Sequence, residues 1–300
     1  MPDQAQGLRV LASQARAAFD LGNSVVVSSR NIAPARTIAV TSGKGGVGKT
    51  NFSANLALLL AKAGQRVVVV DADLGLANLH VVLGVSPRYH LGHIIRGEKS
   101  LRDVLHTAPQ GFDILAGGSG IAELANLGHI ERQRFIHRLA ELDDLADIVL
   151  IDTGAGLSDN VLSFVTAAEE VIVVTTPEPT ALADAYATIK VVSRDNPDAL
   201  LSVVVNMAAT EAEADATAER LRLVAKQFLD IDLGILGVIL QDPAVPRAVR
   251  AQRPVVAEWP AGPTARALGR MVDTLGYRES RPAGVRGFLN RVSHYFQPAG

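Results

Sequence analysis

Between Thr41 and Thr50 the chain reads Thr-Ser-Gly-Lys-Gly-Gly-Val-Gly-Lys-Thr, a composition suited to gripping phosphate. Gly43, Gly48, Lys49 and Thr50 occupy the fixed positions of the pattern G-x-x-x-x-G-K-[ST]. The glycines at 43, 45, 46 and 48 let successive backbone N–H groups turn towards one anion. The helix expected to open at this point adds the partial positive charge of its N-terminus. Gly43, Lys44, Gly45, Gly46, Val47, Gly48, Lys49, Thr50 and Asn51 therefore form the candidate nucleotide-binding set. Lys49 is placed to reach the β- and γ-phosphates, and the Thr50 hydroxyl to ligate Mg²⁺. ATP with magnesium is the ligand this chemistry implies.

Two apolar runs then end in carboxylates. Val67–Val70 leads into Asp71-Ala-Asp73, and Ile148–Ile151 leads into Asp152-Thr-Gly-Ala-Gly156. Carboxylates at the C-terminal ends of parallel strands face the ligand crevice of an open α/β sheet. Asp152 fits a magnesium carboxylate that is followed by a glycine-bearing switch loop.

The elements that must position these residues are legible in the hydrophobic pattern. Strands are expected at Ile38–Val40, Val67–Val70, Ile148–Ile151, Val171–Val174, Val203–Val205 and Ile235–Leu240, with a weaker one at Phe112–Leu115. Most are continuous Val/Ile runs, as expected when helices cover both faces of a parallel sheet. Helices are expected over Asn51–Ala63, Ala181–Arg194 and Glu211–Leu229. The alternation predicts an α/β fold with a doubly wound, mostly parallel sheet flanked by helices. Residues 36–277 would form this P-loop domain, residues 1–35 an N-terminal arm and linker, and residues 278–300 a basic tail.

Composition narrows the class further. The 300 residues are 48% hydrophobic and 20% charged, which excludes a disordered chain. Lys and Arg (29) balance Asp and Glu (31), so direct DNA binding of the strongly basic kind is not expected. There is no Cys, hence no disulfide or iron–sulfur cluster from this chain. No secretion signal and no run near the ~18 apolar residues of a membrane span is seen, so a cytoplasmic location is expected.

Lys44 goes beyond the minimal pattern, and two of the chain's six lysines lie in this loop. A second lysine in K-G-G-x-G-K-T resembles the deviant phosphate loop of the MinD/ParA ATPases. The resemblance implies that Lys44 reaches across a homodimer interface to the partner's nucleotide. It implies a catalytic set of Lys44, Lys49 and Asp73, in which Asp73 positions the attacking water. It also implies a magnesium site of Thr50, Asp71 and Asp152. Asn206, at the end of a strand, would read adenine, and Asp242 could close the other side of the base or simply serve a turn.

The stretches DADLGLANLHVVLG and TTPEPTALADAYATIK resemble the branch of that family that regulates flagellar number. Asp3-Gln-Ala-Gln-Gly-Leu-Arg9 matches that branch's D-Q-A-x-x-L-R motif for stimulating the GTPase FlhF, which marks Asp3, Gln4, Ala5, Leu8 and Arg9 as partner-binding. Flagellar C-ring components and a flagellar transcription activator are further implied partners. A MinD/ParA-type positioning ATPase for a division site, chromosome or other cargo is the competing reading.

In the tail, Val285, Phe288, Leu289, Val292 and Phe296 fall on one helical stripe. Residues 278 onward hold four Arg against one Glu. A basic amphipathic helix of this kind is expected to lie on a membrane surface, in the ATP state and on the inner face of the cell membrane. Docking on the chain's own domain is the alternative.

Overall fold

A computed structural model describes residues 33–73, 78–118, 120, 123, 127–276 and 283–295. The expected partner motif at Asp3, Gln4, Ala5, Leu8 and Arg9, and Phe296 of the tail, lie outside the described residues. The chain divides after Ala33, and the described residues from Pro34 onward belong to the second of its two units.

Among its described residues, the second unit is built on eight strands. They are β1 (Arg36–Ser42), β2 (Val67–Ala72), β3 (His106–Thr107), β4 (Asp113–Ala116), β5 (Ile148–Ala155), β6 (Glu170–Thr175), β7 (Leu200–Ala208) and β8 (Gly234–Leu240). Their order across the sheet is β3-β4-β2-β5-β1-β6-β7-β8, and only β3 runs antiparallel to its neighbour. The weakly signalled strand is real: β4 pairs in parallel with β2. The principal helices are α1 (Lys49–Lys62), α2 (His129–Leu139), α3 (Asp159–Ala167), α4 (Pro179–Asp195), α5 (Glu211–Leu229), α6 (Pro263–Gly276) and α7 (Gly284–Tyr295).

Local chemistry sets the helix starts. Pro179 opens α4 with its backbone φ already helical. The Thr210 hydroxyl accepts from Glu213 N at 3.2 Å and caps α5, while Glu213 Oε2 takes Ala209 N at 2.7 Å. Two apolar layers sandwich the sheet. One face packs Phe52 and Leu56 of α1 with Leu268 and Met271 of α6. The other packs Phe135, Phe164 and Ile189 of α2, α3 and α4. All six residues of β2 are buried, which suits the unbroken run of four valines that opens it before Asp71.

The C-terminal helix departs from the expectation of a free membrane face. Val285, Phe288, Leu289 and Val292 are all at most 4% exposed and belong to the second core layer. The Phe288 ring lies 6.2 Å from that of Phe164 on α3. Below the helix a residual cavity of about 20 Å³ is lined by Val70, Val149 and Ile151 of the sheet, among others. Polar bonds hold both ends. Asp143 Oδ1 accepts from Val285 N at 2.8 Å, Arg291 Nε donates to Ala167 O at 2.7 Å, and buried Arg132 donates to Ser293 O at 3.4 Å. Packing these four side chains into the core layer removes their apolar surface from water. Among the described residues no helix is long and apolar enough to cross a membrane.

Candidate functional site

The phosphate-binding segment spans the turn from β1 into α1, at the C-terminal edge of the sheet where β5 and β6 flank β1. Its glycines are required for two separate reasons. Gly46 and Gly48 take φ values of +82° and +88°, which side chains disfavour. Gly43 instead faces the α4 backbone, where a Cβ would stand 2.4 Å from the carbonyl of Asp184.

Lys49 points back into the site. Its Nζ lies 3.3 Å from Asp152 Oδ1, which also accepts from Ser53 Oγ at 2.9 Å. Lys49 is 7% exposed and Asp152 1%, so the pair sits in a low-dielectric setting. Ser53 was not singled out in the sequence, although its place four residues after Lys49 puts both on one face of α1. Asp152 Oδ2 is buried without a hydrogen-bond partner.

Asp71 and Asp152 are register partners on β2 and β5. Asp71 accepts from Asp73 N at 3.3 Å and Leu79 N at 3.2 Å, tying the chain after β2 to the strand end. Burial, then the neighbouring Asp152 charge, pushes the Asp71 carboxyl up to about 7. Such a pair of carboxylates is suited to a divalent cation. Two buried carboxylates, one with an orphaned oxygen, and the half-buried Thr50 of the first α1 turn fit magnesium with a nucleotide. Asp73 comes close to the end of β5, since a Cβ on Gly154 would stand 3.4 Å from its Oδ1.

Lys44 turns outward. It is 40% exposed, and its Nζ bonds Glu178 Oε2 at 2.6 Å and Thr180 Oγ1 at 3.0 Å at the start of α4. The rule that found Asp71 and Asp152, a carboxylate following a buried strand, applies equally to Glu178 after β6. The Asn206 amide donates to Val47 O at 2.8 Å, which places it against the phosphate loop. Asn51 accepts from Asn55 Nδ2, joining two turns of α1. Asp242 is spent inside the chain: its oxygens accept from Ala244 N at 2.9 Å and Thr264 Oγ1 at 2.7 Å. In this structure it serves the turn after β8.

Comparisons with known proteins agree with this geometry. Residues 38–255 match the family described as "CobQ/CobB/MinD/ParA nucleotide binding domain". The antiactivator FleN of Pseudomonas aeruginosa is 42% identical over 259 residues, covering 85% of this chain and 91% of that protein. The flagellum site-determining protein YlxH of Helicobacter pylori is 36% identical over 266 residues, covering 86% and 90%. Among solved structures, the septum site-determining protein MinD complexed with Mg-ADP from Pyrococcus horikoshii superposes with a TM-score of 0.66 at 27% identity, covering 81% of this chain and 96% of that one. A phosphate loop, two strand-end aspartates and a doubly wound sheet thus agree with sequence kinship. The chain belongs to the CobQ/CobB/MinD/ParA nucleotide-binding family, in the group that includes FleN and YlxH.

Proposed function

We propose that the chain is an ATP-dependent, dimerising ATPase switch that regulates flagellar number and placement. Lys44 carries this reading. It is a cation inside the phosphate loop that is 40% exposed and held by side chains at the surface, so it can change partners cheaply. In the ATP state each Lys44 leaves Glu178 and Thr180 and meets the neighbouring subunit's phosphates. Magnesium, held by Thr50, Asp71 and Asp152, compensates phosphate charge when bound. Lys49 orients the phosphates and Asp73 holds the attacking water, with slow turnover acting as a timer. The flagellar role is supported by FleN and YlxH, whose names describe an antiactivator and a site-determining protein. The arm residues Asp3, Gln4, Ala5, Leu8 and Arg9 engage the GTPase FlhF, with C-ring components and a transcription activator as further partners. Sizing chromatography with ATP tests the switch: an Asp73→Ala protein should elute as a dimer, and the same protein carrying Lys44→Ala as a monomer. A Lys44→Ala protein that still dimerises sinks the reading.

Membrane association through α7 belongs to the same proposal, with a condition that its burial imposes. Re-exposing four buried apolar side chains costs about 6–12 kcal/mol at roughly 1.5–3 kcal/mol each. Release must therefore be driven from the nucleotide site. The route is short: α3, which packs on Phe288 and accepts from Arg291, begins at Asp159, just beyond the loop through Gly156. The burial of the four described stripe residues favours a second reading, in which α7 is a permanent part of the core. Co-sedimentation with anionic liposomes separates the two. Binding that needs ATP and fails without residues 285–296 supports release, and no binding in ATP or ADP establishes the fixed helix.

A further inference from the structure

Asp152 receives two donors on one carboxylate oxygen and none on the other. Lys49 Nζ stands 3.3 Å from Oδ1 and Ser53 Oγ 2.9 Å from it, while Oδ2 is buried without a hydrogen-bond partner. The backbone of Asp152 is fixed inside the sheet, in register with Val40 of β1 on one side and Asp71 of β2 on the other. What the backbone leaves open is the rotation of the carboxylate plane, because the last torsion of an Asp side chain is broad. The hydrogen bonds at Oδ1 settle that rotation.

The two donors differ in kind. Lys49 is a long, flexible cation with a second task, since the nucleotide reading assigns it to phosphate. Ser53 lies one turn further along α1 and is 0% exposed, so it serves only the inside of the protein. Its hydroxyl carries one proton and faces two acceptors, Asp152 Oδ1 at 2.9 Å and Lys49 O at 3.2 Å. The carboxylate oxygen is nearer and charged, so it takes the proton. By helix propensity alone alanine would suit this buried interior position better than serine. What the hydroxyl adds is a fixed donor for Asp152.

We propose that Ser53 is a positioning residue: by holding Oδ1 it fixes the Asp152 carboxylate plane, so that Oδ2 stays free as the acceptor for a divalent cation. The proposal rests on the magnesium–nucleotide reading above and adds a residue to it. In the empty site Lys49 and Ser53 share Oδ1. When Lys49 turns to phosphate, Ser53 is the donor that remains, and the carboxylate keeps its orientation through the exchange. Ser53 itself touches neither cation nor nucleotide. Groups that hydrogen-bond a metal-binding side chain change metal affinity by roughly 10–100-fold when they are removed.

The test is calorimetric titration of the full chain with ADP, once in magnesium and once in EDTA. The ratio of the two affinities is the gain due to the cation, and the EDTA value reads the phosphate loop without it. Ser53→Ala, which favours the helix and should fold, is expected to lower the ratio about tenfold and to leave the EDTA affinity within about threefold of the parent. Asp152→Asn keeps the shape of the side chain without its charge and should lower the ratio at least as far. Adding Ser53→Ala to Asp152→Asn should then change the ratio by less than about twofold, because the two residues act as one unit. An unchanged ratio in Ser53→Ala, an equal loss in EDTA and in magnesium, or a further several-fold loss in the Asp152→Asn background would each overturn the role of Ser53. A parent protein that binds ADP equally well with and without magnesium would overturn it too, and leave nucleotide binding standing. A parent that binds no ADP would overturn the nucleotide reading itself, and this proposal with it.

Discussion

The nucleotide site and the seat of α7 share two strands yet end in opposite states. In β2, Val70 lines the space under α7 while the adjacent Asp71 faces the site; in β5, Ile151 and Asp152 divide in the same way. On the apolar side the chain completes itself, leaving a cavity of about 20 Å³ under a helix of its own. On the polar side it gathers charge that its own side chains do not fully pair, with an orphaned Asp152 oxygen and an Asp71 carboxyl pushed up to about 7. Apolar groups accept any well-shaped apolar cover, whereas charges need partners of specified sign and geometry. One strand can therefore join a closed core to an open site. A change of ligand at the aspartates sits one residue away from the seat of the helix.

The largest expected effect lies on the polar side. Lys49→Met removes the loop's phosphate-directed cation, and ATP affinity should fall at least ~100-fold by calorimetric titration. It should also leave Asp152 short of its buried counter-charge, costing about 3–5 kcal/mol in urea denaturation of the nucleotide-free protein. A loss in binding without a loss in stability would mean the site does not depend on the pair for its resting state.

Phe288→Ala probes the apolar side. It should cost about 3–5 kcal/mol of unfolding free energy, because the truncated ring leaves a cavity in a packed layer. A cost below about 1 kcal/mol would show that α7 is already loosely held, and would break the contrast between a closed seat and an open site.

Asp143→Ala sharpens it. Asp143 Oδ1 accepts from both Ala35 N, at 3.0 Å, and Val285 N, at 2.8 Å, so its loss should cost about 1–3 kcal/mol. If the helix can detach, limited proteolysis of this variant should cut near residue 283 first, ahead of any cut in the sheet. The smallest effect is expected for Lys44→Ala, whose exposed pair with Glu178 contributes at most about 1 kcal/mol to the single chain. A larger loss of stability would make Lys44 a structural residue.

What was legible in the chain alone followed from how local each requirement is. The phosphate loop is contiguous, and its glycines answer to backbone angles and to close approach at one turn, so Gly43 to Thr50 could be read directly. The valine runs announced a sheet covered on both faces, and the expected span Glu211–Leu229 coincides with the observed helix, whose start the structure shows capped by Thr210. Asp71 and Asp152 were found because the rule for strand ends needs only the strand.

The tertiary structure alone decided the rest. The stripe of α7 was visible as a period, but a period does not say which apolar surface covers it. The answer came from Val70, Phe135, Val149, Ile151 and Phe164, scattered over a long stretch of chain and gathered only by the folded sheet. Lys44 was recognisable as a loop lysine, while its bonds to Glu178 and Thr180 depend on α4 meeting the loop at Gly43. Asp242 was equally eligible for a base or a turn until Thr264, on another helix, took one of its oxygens. Sequence determines the chemistry each segment can offer; long-range packing determines which offers are already taken.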